Sequence, residues 1–251
     1  MKKILMATVL ATISVAASAE TKTNATGKVR RPMREVIAER RAKAGGMIEA
    51  PVTGKVVRVV NAQKIVKTEE LNAIIGKIRD LARLPIVLED GKAVDYAAMR
   101  DSTEGAVMLL TDDPKYPTIL VAPENAWSAV GVAKLASDEP DARRLSERME
   151  KEMWRALCMS LGSANAIFQP CLLRTIRTLK QLDYCANKVP SPEPLGKLED
   201  AAKEFGVLRL RSVTYKNACF EGWAPAPTSE VQKAIYEGVK NGTIKPYVPA
   251  K

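Results

Sequence analysis

The sequence predicts an α/β (α+β) protein in which helices pack on a mixed, twisted β-sheet. Two observations lead to this prediction. From residue 55 a strand, an amphipathic helix and a second strand follow one another, and further strands come next before the chain turns mainly helical. This order is typical of a mixed sheet with helices on its faces. The 251 residues suit one large domain or two small ones.

A secretory signal peptide is predicted over residues 1–19. Two lysines precede an apolar run over residues 4–17, and Ala17-Ser18-Ala19 supplies the small residues of a cleavage site. The alternative is a membrane anchor, but the run is shorter than the roughly 20 apolar residues that a span needs. We therefore expect cleavage after Ala19, a secreted or periplasmic location, and a mature chain without a membrane span.

Residues 20–54 form a predicted basic N-terminal arm. Removing the two lysines of the signal peptide lowers the formal net charge from +10 to +8 (10 − 2). Much of the excess lies in the 28–43 segment, where Met33–Lys43 forms either a short helix or part of an extended arm. This segment is a candidate for binding an anionic polymer or membrane surface. The alternative is a solvated arm, and the absence of interleaved aromatic residues gives little support to a nucleic-acid groove.

The main domain is predicted at residues 55–189. Val56–Val60 has the composition of a strand, and a helix follows from Thr68. Pro85–Leu88 is the second strand, closed by the turn Glu89-Asp90-Gly91. The helix has apolar residues at the spacing i, i+3, i+4 and i+7, namely Leu71, Ile74, Ile75 and Ile78.

Further strands are predicted at residues 106–110, 118–122 and 128–135. A long helix begins near the acidic residues 138–141 and stops at Gly162. Its apolar side comprises Leu145, Met149, Met153, Leu157 and Leu161.

Another helix is predicted over residues 172–183, with Leu172, Ile176, Leu179 and Leu182 facing inward. Residues 190–251 are predicted to be a C-terminal extension packed on the same domain. Its prolines 190, 192 and 194 indicate an extended linker. A helix near 195–205, a strand near 207–215 and a last helix from Thr228 follow.

The four cysteines are disulfide candidates, because an even count in an exported chain indicates pairing. We favour the pair Cys171–Cys185, which is close in sequence. Cys158 and Cys219 are the remaining candidates. The alternatives are free buried thiols or a shared metal.

The chain has no histidine. This excludes Ser-His and Cys-His nucleophilic mechanisms and removes the most common metal ligand. Any catalysis must therefore use carboxylates, lysine, tyrosine or cysteine.

One segment resembles the zinc-binding helix of metzincin peptidases, in particular the archaemetzincin branch. It reads Lys151-Glu152-Met153-Trp154-Arg155-Ala156-Leu157-Cys158-Met159-Ser160-Leu161-Gly162-Ser163-Ala164-Asn165. The family motif is H-E-x-x-H-x-x-G-x-x-H. With Gly162 on its glycine, Arg155, Met159 and Asn165 stand at the three histidine positions, and Ala156 stands at the general-base glutamate.

The resemblance extends over about residues 55–185. Cys171 and Leu173 stand at the branch's second cysteine and methionine. Residues 109–113 are similar to its T-D-x-D segment, and residues 130–135 are similar to the strand before the zinc helix. The branch's later C-x-x-C is absent. The alternative is an ordinary amphipathic core helix with Gly162 as its cap.

The resemblance implies a metzincin-like peptidase fold without the family's metal chemistry. Arg155 repels a cation, Met159 and Asn165 are poor zinc ligands, and Ala156 has no proton to transfer. We therefore expect no metal and no cofactor, and a former zinc cleft lined by these four residues.

Two functions remain in question. The first is a secreted, non-catalytic module that binds extracellular or periplasmic protein or peptide. The second is a carboxylate-dependent, aspartic-type peptidase that acts on extracellular protein or glycoprotein at acidic pH. Its candidate residues are Asp101, Asp112, Asp113 and Glu152. The alternative for Asp112-Asp113-Pro114 is a turn.

Overall fold

The computed structural model describes residues 31–91, 105–163 and 171–246. Its elements are α1 (Met33–Lys43), β1 (Met47–Glu49), β2 (Val56–Asn61), α2 (Thr68–Ala82), β3 (Ile86–Asp90), β4 (Gly105–Thr111), β5 (Ile119–Ala122), β6 (Trp127–Gly131), α3 (Val132–Leu135), α4 (Ala142–Ser160), α5 (Leu179–Asp183), α6 (Pro192–Glu204), β7 (Ser212–Thr214), α7 (Tyr215–Glu221) and α8 (Glu230–Lys240). Within these ranges, no helix is both long enough and apolar enough to span a bilayer. The predicted signal peptide lies outside them.

The chain divides into two compact units. One is Ile48–Val213, and the other contains the described residues up to 47 and from 214 onward. This division does not follow the predicted domain boundaries at residues 54 and 189.

A five-stranded sheet forms the centre of the Ile48–Val213 unit. Its strand order is β3-β2-β4-β6-β5. The first four strands are parallel, and β5 runs antiparallel to β6. The inner strands β4 and β6 are buried at every position, as expected for parallel strands covered on both faces. The predicted mixed sheet is confirmed.

Helices α2 and α4 supply the apolar cover of one sheet face. The stripe predicted for α2 is correct, because Leu71, Ile74, Ile75 and Ile78 are all buried. Met149, Met153 and Leu157 of α4 join the same core. The opposite sheet face carries a second buried cluster, made of Val60, Val107, Leu109, Trp127 and Ala129. The two clusters follow from the alternation of side chains along each strand.

Helix α4 begins with a side-chain cap. The Asp141 carboxylate accepts a hydrogen bond from the Arg144 backbone N–H at 2.7 Å. About two turns later, the buried Arg148 guanidinium binds the carboxylates of Asp138 and Asp183. It also donates to the Leu135 carbonyl at 2.7 Å. Arg148 thereby connects α4 to the segments before and after it.

The other unit consists of α1, α7 and α8, and the predicted helix Met33–Lys43 is confirmed. Helix α1 buries none of its residues. The Gln232 side chain of α8 donates to the Gly45 carbonyl at 2.9 Å. The Tyr215 hydroxyl of α7 donates to the Pro225 carbonyl at 2.9 Å.

The predicted helix over residues 172–183 is wrong except for its last five residues, which form α5. The carbonyls of Leu172 and Arg174 accept hydrogen bonds from the Arg155 guanidinium instead of helical N–H groups. Leu172 and Leu182 are nevertheless buried, as predicted.

Three other boundaries also differ from the predictions. The strand predicted at 128–135 ends at Gly131, and α3 replaces its second half. The strand predicted at 207–215 shrinks to β7, which pairs with β1. Pro192 and Pro194 lie in the first turn of α6 rather than in a linker. Proline is tolerated there because the first N–H groups of a helix have no intrahelical partner.

The predicted Cys171–Cys185 disulfide is not formed, and all four cysteines are free thiols. The Cys171 sulfur lies 3.4 Å from the Ser191 hydroxyl. The Cys185 thiol donates to the Asn187 carbonyl at 3.6 Å. Each thiol therefore contacts a different neighbour. Burial raises the pKa of the Cys158 thiol to about 12, which favours its unreactive protonated form.

Gly131, at the end of β6, is a position where a side chain has no room. A Cβ atom there would lie 2.3 Å from the Pro117 carbonyl oxygen. We expect Gly131→Ala to lower the free energy of unfolding by roughly 1–3 kcal/mol, because the backbone must shift to relieve the clash. Urea denaturation measures this change.

The matched control is Gly196→Ala in α6, where an added Cβ meets no atom within 4 Å. This variant is expected to gain about 0.5–1 kcal/mol from helix propensity. Equal unfolding midpoints for the two variants would contradict the packing around Gly131.

Candidate functional site

The segment that resembles the zinc-binding helix is the second half of α4, and it carries a buried ion pair. Arg155 Nε donates to Glu152 Oε2 at 2.9 Å. The two residues are spaced i, i+3, so they share one face of the helix. Residue exposure is 0% for Glu152 and 3% for Arg155. A charge pair so far from water is stable only when the remaining polar atoms also find partners.

Arg155 satisfies this condition through two main-chain carbonyls. Its Nη1 donates to the Leu172 carbonyl oxygen at 2.8 Å and to the Arg174 carbonyl oxygen at 2.7 Å. The guanidinium therefore fixes the irregular segment after residue 171 against α4. It does not line an open cleft.

Glu152 is less completely satisfied. Its Oε1 atom is buried and has no hydrogen-bond partner of standard geometry. Burial raises the pKa of the Glu152 carboxyl, and this effect outweighs the opposing influence of Arg155 and the Thr118 hydroxyl. No second carboxylate contributes to the shift. Among the described residues, Glu152 therefore has no second carboxylate with which it could share one proton.

The other described residues at the former zinc positions do not line a cleft either. Ala156 is fully buried in the core, and Met159 is partly buried against it. Asn165 lies outside the described residues. The prediction that Arg155 and Ala156 line a binding cleft is therefore wrong, because both are enclosed by the packing of α4. Within the described ranges, no group of three or more His, Cys, Asp or Glu side chains could hold a metal ion.

The predicted carboxylate candidates are not brought together into a site. Asp112 and Asp113 follow β4 in a turn, where Asp113 Oδ1 accepts the Lys115 N–H at 2.9 Å. The Thr111 hydroxyl accepts the Asp113 N–H at 3.2 Å. These are the local bonds that make Asp a frequent turn residue. Glu152 is sealed inside the protein, and Asp101 lies outside the described residues. The turn interpretation of Asp112-Asp113 is the one that these contacts favour.

The outer edge of β5 presents backbone N–H and C=O groups without a partner in the described residues. The sequence-based predictions did not include this feature. The Gly131 N–H donates to the Thr118 carbonyl. In an antiparallel pair of strands, hydrogen-bonded and non-hydrogen-bonded residue pairs alternate. The backbone N–H and C=O groups of Leu120 and Ala122 therefore also point toward β6. Ile119 and Val121 then direct their N–H and C=O groups away from the sheet. None of these four groups has a hydrogen-bond partner in the described part of the chain.

A sequence signal for this edge does exist. Pro117 and Pro123 stand on either side of β5, and proline is found at the ends and edges of sheets rather than in central strands. The two prolines therefore mark β5 as a short strand of limited pairing. Leu120 of this strand is 44% exposed.

No protein-family model and no curated protein sequence matches the chain. Among solved structures, it is similar to a zinc-dependent peptidase from Methanocorpusculum labreanum, with a TM-score of 0.48 and 13% identity over 57% of this chain and 100% of that chain. For the archaemetzincin from Methanopyrus kandleri, the TM-score is 0.46 with 14% identity over 59% of this chain and 96% of that chain.

A third structure, the archaemetzincin from Archaeoglobus fulgidus, gives a TM-score of 0.44 with 13% identity over 57% of this chain and 99% of that chain. The second and third of these proteins are named archaemetzincins, the branch that the sequence resembles. The likeness is one of fold, and zinc dependence stays a property of the Methanocorpusculum protein.

The buried ion pair predicts a pH-dependent stability defect. Arg155→Met leaves Glu152 as a buried charge without a counter-ion, which should lower the free energy of unfolding by about 3–5 kcal/mol at neutral pH. Arg155 lowers the pKa of Glu152 in the wild type, so its removal raises that pKa further. A raised pKa in the folded state means that stability is greatest at low pH and is lost as the pH rises through it. The defect should therefore shrink as the pH falls.

Urea denaturation between pH 4 and pH 8 measures this dependence. The control is the double variant Arg155→Met with Glu152→Gln, which has no titrating group at this place. The difference in stability between the single and double variants should vanish at low pH. A difference that stays constant over the whole range would contradict the role given to Glu152.

Proposed function

We propose that the chain is an exported, non-catalytic module that binds an extended segment of protein or peptide along β5. The observation that carries this proposal is the row of free backbone groups at Ile119 and Val121. An extended chain can add to such an edge as a further strand, with main-chain hydrogen bonds for affinity and side-chain contacts for specificity.

The two edges of the sheet differ in charge. Strand β3, at the other edge, ends in Glu89 and Asp90, and Glu89 forms an ion pair with Arg58. Charged residues protect an edge against pairing with another chain. Strand β5 reads Ile-Leu-Val-Ala and has no charged residue. We therefore assign binding to the β5 edge.

The residues that stand at the motif's zinc positions do not fit a zinc ion. Arg155 carries a fixed positive charge, and its guanidinium already binds Glu152 and two carbonyl oxygens. Ala156 offers no group to activate water, and a thioether such as Met159 is a poor zinc ligand. We therefore assign no hydrolytic step to this helix, and the function that we propose for the fold is binding.

The test uses linear peptides of about ten residues selected from a random display library, a length that can add as one strand. Val121→Pro removes an outward N–H and places a ring where the added strand would lie. We expect it to weaken peptide binding by at least about tenfold. Fluorescence polarisation measures the Kd.

Leu88→Pro on the outer edge of β3 is the matched control and should leave the Kd unchanged, with circular dichroism verifying the fold of both variants. Mass spectrometry of the bound peptides, with added zinc and with a chelator, tests whether the protein cleaves them. Equal peptide affinity of Val121→Pro and wild type would refute binding at β5. Chelator-sensitive cleavage would refute the absence of zinc catalysis.

Helix α1 supports a second candidate function, the binding of an anionic polysaccharide. It lies within the 28–43 segment, of which residues 28–30 are outside the described residues. Glu39 is held by Arg31 and Lys43. Arg34, Arg40 and Arg41 are exposed and have no acidic partner in the described ranges. Exposed cations without counter-ions attract an anionic polymer and release its condensed ions.

Replacing Arg34, Arg40 and Arg41 with Gln is expected to weaken heparin binding and to reduce the salt dependence of log Kd by roughly one unit for each lost contact. Affinity measurements over a range of NaCl concentrations give this slope. The control, Lys197, Lys203 and Arg209 replaced with Gln, changes the net charge equally but on α6 and the segment after it. If both triple variants lose the same affinity, the attraction is a property of net charge and not of α1.

A further inference from the structure

A cavity of about 330 Å³ lies beside the first turns of α4. It is separate from the β5 edge and from the Glu152–Arg155 pair. Every described residue that lines it is ionisable: Asp141, Arg143, Arg144, Glu147, Lys151 and Asp183. A cavity lined by charged groups favours a charged ligand. The sign of that ligand depends on which of these side chains already have a partner of opposite charge.

The acidic residues of the cavity are already occupied. Glu147 Oε1 binds Lys188 at 2.9 Å and Arg143 at 3.2 Å. Asp183 accepts two hydrogen bonds of 2.7 Å from Arg148. Hydrogen bonds from these cations hold the pKa of both carboxyls below the usual range. Asp141 is used as the cap of α4. None of the three carboxylates needs a further cation.

Two cations of the cavity are not matched in this way. Lys151 is only 4% exposed, and its Nζ donates to the carbonyls of Leu182 at 2.9 Å and Asp183 at 3.4 Å. No carboxylate in the described part of the chain lies within ion-pair distance of it. Arg144 is weakly matched: its Nε lies 3.9 Å from Asp183 Oδ2, and its charge also acts on Asp138. An ammonium has three N–H donors, so one donor of Lys151 has no partner.

The helix itself adds to this positive potential. The 19-residue helix α4 begins at Ala142, next to the cavity. The N-terminal end of a helix carries a partial positive charge, which favours a bound anion. The Asp141 carboxylate already accepts the Arg144 N–H of this end. Buried ammonium, guanidinium and helix end therefore act on the same space.

We propose that this cavity binds a divalent oxyanion, held between Lys151 and Arg144. The chemistry is that of a phosphate group, which accepts charge-assisted hydrogen bonds from both side chains. Its source is either free inorganic phosphate or the phosphate of a small phosphomonoester. The volume is near the lower end of the range for small-molecule sites, and it leaves room beside the anion for a few more atoms.

Isothermal titration of the full chain with inorganic phosphate and with glycerol phosphate tests the proposal. Sodium chloride at equal ionic strength is the reference. We expect saturable phosphate binding that Arg144→Gln weakens about tenfold, as the loss of one charge-assisted contact implies. Lys151→Met should weaken it at least as much. Tighter binding of glycerol phosphate than of phosphate would identify a phosphomonoester as the ligand.

Arg144→Gln is the decisive variant, because the side chain is more than half exposed and the fold does not depend on it. Lys151→Met removes two hydrogen bonds to α5, so its fold is checked by circular dichroism. Lys197→Gln, at an exposed ion pair on α6, is the control and should bind phosphate as the wild type does. The proposal is overturned if phosphate binds no better than chloride, or if Arg144→Gln binds it unchanged. Neither result bears on peptide binding at β5.

Discussion

Three buried cations on one helix hold together the segments around the sheet. Arg148 donates to the Leu135 carbonyl and to two carboxylates, Lys151 donates to the carbonyls that end α5, and Arg155 donates to the carbonyls of Leu172 and Arg174. Main-chain carbonyls in an irregular buried segment need donors, because an unpaired one costs about as much as a lost hydrogen bond. The cations of α4 supply these donors at spacings of three and four residues. The irregular segment is stable because cations of α4 donate hydrogen bonds to its carbonyl oxygens.

This arrangement limits what the helix can do chemically. A buried guanidinium is tolerated only when most of its donors are used and a counter-charge is close. Arg155 meets both conditions through Glu152 and two carbonyls, so its charge serves the packing of α4. A cation brought to the same place would meet this fixed positive charge first. The resemblance to a zinc helix is thus one of residue spacing in the sequence, and the side chain at the first histidine position is a fixed positive charge.

The sequence predicted those parts of the fold that depend on local periodicity. The stripe on α2 and the strands β2 and β4 were predicted correctly, because burial follows the 3.6- and 2-residue periods. Helix α4 ends just before Gly162, as predicted, and this glycine has a φ of 89°. The helix over 172–183 failed because Arg155, 17 residues earlier, competes for its carbonyls. The site was harder to predict. No local pattern predicts that Arg148, Lys151, Glu152 and Arg155 are buried. The position of β5 at the sheet edge depends on a strand order that no local pattern contains.

The groups that remain unused indicate where this protein meets other molecules. Arg148 and Arg155 of α4 use their donors on main-chain carbonyls and carboxylates of the protein itself. In the described residues, donors and acceptors without a partner lie at Ile119 and Val121, on the exposed arginines of α1, and at the third N–H of Lys151. A backbone edge selects an extended chain, and unmatched cations select anions. Neither kind of group forms or breaks a covalent bond. On the proposed function, specificity comes from the side chains beside β5.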